Sequence, residues 1–279
     1  IPLARLSPSA IQNLYVTLLE SGLSGSTVRR AAAVLHTALR DAVRRGLIIR
    51  NPQENTTLPR RNHYEPTVPT PEQVIAYLED ARETATPSVW ALYVTAAASG
   101  LREGELLGLR EDAIDLERRV LSVRQQLVRA GRQLIFGQPK TAKGRRTVLL
   151  PAVAVDALRT AGRWKREQRL RLGPRFRDSG LIFCGPSGAP IHVSNLYRRD
   201  HLPRLARLGL PHFRIHDFRH FHGTYLHAEG VDARTGADRL GHADPGFFTR
   251  TYTHAVVAAQ ERAATIANEL LTKTARSSG

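Results

Sequence analysis

Ser99-Gly100-Leu101-Arg102-Glu103-Gly104-Glu105-Leu106-Leu107-Gly108-Leu109 is the stretch around which the rest of the chain can be read. Just upstream, Pro87 to Ala98 is apolar nearly all round (Val89, Trp90, Leu92, Val94), which predicts a helix buried on every side. Ser99-Gly100 breaks that helix. Leu106, Leu107 and Leu109 predict a short second helix over Arg102 to Arg110. Arg102 therefore stands where a broken helix restarts, and it can aim away from its own core.

Further upstream, Thr70-Pro71-Glu72-Gln73 is a helix start: a hydroxyl cap, a proline in the first turn and a glutamine placed to reach back. Downstream the pattern changes from helical to alternating. Val120-Leu121-Ser122-Val123, Gln133-Leu134-Ile135-Phe136 and Thr147-Val148-Leu149-Leu150 predict strands of one small antiparallel sheet, with a turn at Thr141 to Arg145 and Lys140 and Lys143 at its tip. Helical patterns resume at Ala152, over 193–208, 216–229 and 232–240, and finally from Ala255 to Lys273. In that last segment Val256, Ala259, Ala263, Ile266 and Leu270 form an apolar seam, suited equally to its own domain and to a second copy of the chain.

Residues 1–62 read as helices. Ser7-Pro8 starts one, with Ile11, Leu14 and Leu18 on a face, and Gly22 ends it. Ser24 or Ser26 caps the next, in which Val28, Ala32, Leu35, Leu39 and Ala42 recur at helical spacing up to Gly46. Two helices bury little core, so this part is expected to be incomplete or to depend on a partner. It holds nine arginines against three acids. Pro59 to Pro69 has no periodic pattern and reads as a connection, which divides the chain into 1–62, a linker at 63–69, and a second domain over 70–279.

Of the 279 residues, 42% are hydrophobic and 24% charged, which excludes collagen-like and largely disordered chains. A single cysteine, Cys184, excludes an internal disulfide and a cysteine-built zinc site, and it fits a reducing cytoplasm. No apolar run approaches the length of a membrane span. With no methionine anywhere, the chain is expected to be a piece of a longer one. The informative number is the formal charge of +16, carried almost wholly by arginine. A preference for arginine codons accounts for arginine over lysine. It does not account for the surplus over acids, which points to a polyanion.

Two more stretches join the first in carrying chemistry: Ile215-His216-Asp217-Phe218-Arg219-His220, and Leu240-Gly241-His242 followed by Tyr252. His216 and Arg219 are three apart on a helix and share a face. Two guanidiniums, two imidazoles and a lysine can surround one phosphodiester. The arginines neutralise the charge that grows on its oxygens, an imidazole or ammonium protonates the leaving oxygen, and a tyrosine attacks.

In order and spacing, these motifs resemble the signatures of the tyrosine recombinases of phage-integrase type. The resemblance runs from about Thr70 to Tyr252 and more weakly into 1–62. It implies a mostly α fold with a small antiparallel β-sheet (α+β). A tyrosine-recombinase-like catalytic domain would follow a helical core-DNA-binding domain shortened at its N-terminus. It implies Arg102 and Arg219 as phosphate clamps, Tyr252 as nucleophile, His216 as an acid/base or orienting group, and His242 as a hydrogen-bond donor to phosphate. Lys140, in Gln138-Pro139-Lys140-Thr141, matches the hairpin lysine that protonates the departing 5′ oxygen, with Lys143 the second candidate. The DNA contacts would be Arg29, Arg30, Arg44 and Arg45 in the helical part, and Lys143 and Arg145 near the hairpin tip. The implied reaction is site-specific cleavage and rejoining of DNA through a 3′-phosphotyrosyl intermediate, without cofactor or metal. It would occur in the cytoplasm on double-stranded DNA, with self-association there into a tetramer.

Two rivals remain at this point. A type IB topoisomerase shares the chemistry and differs in relaxing one duplex rather than joining two. A metal-dependent nicking enzyme would use His220-Phe221-His222, but such a triplet works on a strand, and here it continues a helix, where neighbours two apart diverge.

Overall fold

The computed structural model describes residues 1–61, 67–131, 133–138 and 144–252. Lys140, Lys143, part of the expected linker and the expected last helix with its apolar seam lie outside the described residues. The chain forms two compact units, Ile1–Glu65 and Pro66–Gly279.

In the first unit, helix α1 (Pro8–Glu20) starts where expected, with the Ser7 hydroxyl accepting from the Ala10 N–H at 3.2 Å. Its inner face keeps the expected Ile11 and Leu18 but replaces Leu14 with Tyr15. Ile11 and Tyr15 are buried and Leu18 is partly so, while Leu14 is 45% exposed. Tyr15 takes the inner position because its hydroxyl has a buried partner, accepting from Gln53 Nε2 at 2.5 Å. Helix α2 (Gly25–Arg44), capped by Ser24, buries Val28, Ala32, Leu39 and Ala42 as its spacing requires. Gln53, in the turn Pro52–Asn55, ties the two helices by donating also to the Ala32 carbonyl.

In the second unit, α3 (Pro71–Thr84) opens with the expected capping box at Thr70 and Gln73. Helix α4 (Pro87–Ser99) is buried all round and forms the centre. Helix α5 (Glu103–Leu107) is shorter than its leucines suggested, because the Leu109 carbonyl leaves the helix to accept from the Ile182 N–H. Strands β1 (Ile114–Asp115), β2 (Val120–Val123), β3 (Gln126–Ala130), β4 (Gln133–Gly137) and β5 (Arg146–Leu149) follow. They make two sheets instead of the single one expected: an antiparallel β1-β2-β5 sheet and a separate β3-β4 hairpin. The reason lies in α5. Gly104 and Gly108, four apart, leave a bare helix face against the Leu127 backbone, where a Cβ at Gly108 would lie 2.7 Å from the Leu127 nitrogen. β3 is drawn onto that face, which sets it apart from β2.

Helix α6 (Ala152–Leu172) covers α4. Helices α7 (Val193–Leu196) and α8 (Leu202–Arg207) are joined through a π turn, and α9 (Asp217–Ala228), α10 (Ala233–Leu240) and α11 (Pro245–Tyr252) end the described chain. The periodicity had not marked α11. Ala237, Leu240, Phe248 and Tyr252 form a small buried cluster of their own, apart from the main core around α4. Among the described residues no helix is long and apolar enough to cross a membrane.

Candidate active site

Arg102 caps α5. Its main-chain N–H donates to Glu105 Oε2 (3.0 Å), Nη1 to Glu105 Oε1 (2.8 Å), and Nη2 to the Gly241 carbonyl (3.0 Å). Glu105, 2% exposed, is shared with Arg146 at the start of β5, whose Nη1 and Nη2 donate to it at 3.2 and 2.9 Å. Burial alone would raise the Glu105 carboxyl. The Arg146 hydrogen bonds and charge, aided by Arg102, outweigh it and hold the carboxyl below the usual range. Arg146 Nε also donates to the Arg239 carbonyl at 2.7 Å, so one carboxylate and one guanidinium fix α5, β5 and the end of α10 together.

Helix α9 supplies most of the rest from a single stripe: His216 at its N-cap, then Arg219, His220 and Gly223 at helical spacing. The loop before it is held by the Ile215 N–H donating to the Tyr197 hydroxyl (2.9 Å) and by Arg214 bound to Asp217. Arg219, 3% exposed, donates to the Gly100 carbonyl (2.8 Å) and to His242 Nε2 (2.6 Å). Gly100 sits at φ 63°, and a Cβ there would meet Leu240 at 2.5 Å, so only glycine lets that carbonyl reach the arginine. Burial, then the charge of Arg102, bring the Arg219 guanidinium down to about 10, still charged at neutral pH.

His242 follows Gly241, whose left-handed conformation (φ 69°) ends α10 and turns the imidazole back towards Arg219. A guanidinium can only donate, so His242 Nε2 accepts and its proton sits on Nδ1, which is buried with no partner among the described residues. Burial and the nearby arginines push His242 down to about 3, and burial and Arg219 push His216 to about 4. The Tyr252 ring stacks on His242 (6.1 Å between centroids, 12° between planes) and lies 5.9 Å from the His220 ring. Burial raises its phenol, against the pull of the Arg219 charge.

The structure thus brings Arg102, His216, Arg219, His242 and Tyr252 to one place. Of the expected DNA contacts, Arg29 and Arg30 line a cleft of the first unit, and Arg29 donates to the Pro59 carbonyl. Arg44 and Arg45 are exposed at the end of α2 beside Asp41, and the exposed Arg145 donates to Gln138. The sequence reading missed Arg146, Arg239, His220 and Gly223 as parts of the site. His220 and Gly223 continue the His216–Arg219 stripe and could have been found by extending it, whereas nothing near Arg146 in sequence points to Glu105. His220 and His222 diverge as a helix requires: His222 Nδ1 donates to the Ala97 carbonyl, and its Nε2 accepts from Arg239.

Two predictions arise here. Gly223→Ala places a Cβ 2.5 Å from Tyr252 Cζ. The gain in helix propensity, about 1 kcal/mol, is outweighed by displacement of the ring, and a shift of order 1 Å lowers single-turnover cleavage about 100-fold, read against unchanged DNA affinity. The second concerns acid. His216, His222 and His242 are held neutral, at about 4, 4 and 3. Each takes up a proton more readily when unfolded, so stability is full above the ordinary imidazole value and falls as pH drops from there towards those values. Urea midpoints measured across that range should fall with acidification, and less steeply in His222→Gln.

A model described as the phage integrase family matches residues 70–258, and the chain belongs to that family, the tyrosine-type site-specific DNA recombinases. Among its relatives is a tyrosine recombinase XerC-like protein of Caldanaerobacter subterraneus, 27% identical over 93% of this chain and 70% of its own. Another is tyrosine recombinase XerC of Alcanivorax borkumensis, 28% identical over 91% of this chain and 76% of its own. The fold is that of the Tn1549 transposon integrase, solved in complex with transposon right end DNA (TM-score 0.75, 22% identity, 95% of this chain and 87% of that one).

Proposed function

We propose that the chain recombines double-stranded DNA by using Tyr252 to attack a backbone phosphate, leaving the 3′ end joined to the tyrosine. The observation that supports this most is the meeting of Arg219, His242 and Tyr252, with Arg102 held to the adjoining Gly241 carbonyl. Arg102 and Arg219 neutralise the non-bridging oxygens, and the unpartnered His242 Nδ1–H donates to one of them as charge develops. His216 orients the phosphate from the α9 N-cap, and Lys140 gives a proton to the departing 5′ oxygen. A 5′ hydroxyl from a partner strand then attacks the phosphotyrosine. One phosphoester replaces another at each step, so no energy source is required. Target duplex joining distinguishes this from relaxation alone.

Residues 1–62 serve as the core-DNA-binding domain, with Arg29, Arg30, Arg44 and Arg45 on phosphates, and Lys143 and Arg145 add contacts from the catalytic domain. Self-association on DNA gives a tetramer, with the seam of residues 255–273 a candidate for the contact. Such an enzyme works in the cytoplasm, where its DNA lies. The test is a suicide substrate whose short 5′ fragment diffuses away after cleavage. A covalent adduct should accumulate in EDTA and map by mass spectrometry to the peptide containing Tyr252, and an adduct elsewhere overturns the reading. Replacing Arg29 and Arg30 together by alanine should lower the slope of log K against log[salt] by about 2.

A further inference from the structure

The roles above leave the Tyr252 phenolic proton without a carrier. Burial raises that phenol above its ordinary value, so it does not ionise alone near neutral pH. His242, though stacked on the ring, cannot take the proton: its Nε2 lone pair faces Arg219, and its Nδ1 already bears hydrogen. The arginines have no lone pair to offer. The His216 ring packs on His220 and, among the described residues, makes no ring contact with Tyr252.

His220 is differently placed. It lies on the inner stripe of α9, its ring 5.9 Å from that of Tyr252, and among the described residues no hydrogen bond engages its ring nitrogens. One turn further along α9, Gly223 has no side chain, and the Cζ end of the Tyr252 ring, which bears the hydroxyl, fills the space, since a Cβ there would come within 2.5 Å of it. The missing side chain thus seats the phenol over the same helix face that carries His220. We propose that His220 is the catalytic base that receives the Tyr252 proton. This rests on Tyr252 being the nucleophile.

In the step, the Oη–H proton passes to a His220 ring nitrogen, the Oη–P bond forms, the P–O5′ bond breaks, and the proton from Lys140 goes to O5′. Rejoining reverses each transfer, and the His220 imidazolium returns its proton to Oη. The base must start neutral. The charged and titratable groups facing it are Asp217, Arg214, Arg219 and His216 from its own segment, Tyr252 from α11, and His242 from the turn after α10. Burial is the chief influence that holds it below its ordinary value, against the opposing pull of Asp217.

The experiment is single-turnover cleavage of a suicide substrate, at saturating protein, by wild type, His220→Ala and His220→Gln. Both variants should bind DNA normally and cleave about 100- to 10,000-fold more slowly. The wild-type rate should rise with pH on a limb below the ordinary imidazole range, and the variants should lack that limb. Added imidazole should restore part of the His220→Ala rate. When sulfur replaces the bridging 5′ oxygen, the leaving group needs no proton, yet the His220 defect should persist. Loss of the defect on the sulfur substrate overturns the proposal in favour of an acid role, and undiminished variant rates overturn it outright. Should either variant fail to fold, a wild-type profile without the limb overturns it alone. Absence of any Tyr252 adduct from wild type instead brings down the nucleophile assignment.

Discussion

Tyr252→Phe is expected to form no covalent DNA adduct and to lower strand cleavage by about 10,000-fold or more, the scale seen when a nucleophile is removed. The same protein should fold and bind DNA as wild type does. The ring, 2% exposed, packs on His242, Phe248 and the bare face at Gly223, and the substitution removes only the hydroxyl. A single neutral hydrogen bond lost or regained changes stability by about 1 kcal/mol, too little to unfold the domain. Gel retardation and a thermal melt therefore accompany the suicide-substrate assay. Residual adduct at wild-type levels would move the nucleophile to another residue.

The second large effect is expected at Glu105. Glu105→Ala leaves the Arg146 guanidinium, whose side chain is 6% exposed, without its countercharge. Breaking a buried pair from one side costs about 3–5 kcal/mol, and a fall of the urea midpoint at constant slope would read it. Catalysis suffers as well, because the same carboxylate sets Arg102: both Arg102 Nη1 and its main-chain N–H lose their acceptor. Loss of one aligned cation from the phosphate site is worth about 100- to 1,000-fold in cleavage. Glu105→Gln separates the two effects. It keeps the shape and one acceptor, so stability should recover more than the cleavage rate, which depends on holding Arg102 taut. Because the arginines keep the Glu105 carboxyl low, its contribution is complete above the ordinary carboxylate range and is lost as pH falls from there through the lowered value.

How far the molecule could be read before its coordinates depends on which interactions are local. Caps are local, so Ser7, Ser24 and Thr70 start their helices where the residues said they would. The perimeter of α4 is a property of one segment, and its burial followed. The α1 face was misjudged at one position, where Tyr15 rather than Leu14 turns inward because of a partner 38 positions away. The division into two sheets was hidden for a similar reason, since it depends on two glycines of α5 meeting the Leu127 backbone. At the site, Arg102, His216, Arg219, His242 and Tyr252 stood out by type and order. Arg146, whose partner Glu105 is 41 positions away, had no sequence neighbour to betray it. His220 was set aside with the metal-binding triplet that the helical period rules out, and the same period, carried on from His216 and Arg219, is what places it on the inner stripe of α9.

The small cluster beneath Tyr252 has a wider meaning. Tyr252, the proposed nucleophile, sits in a small cluster of buried side chains with Ala237, Leu240 and Phe248, whereas Arg219 belongs to the helix that packs on the central core. Elements with few apolar contacts open at lower free energy than the core. Hydrogen exchange on α11 should therefore run faster than on α9.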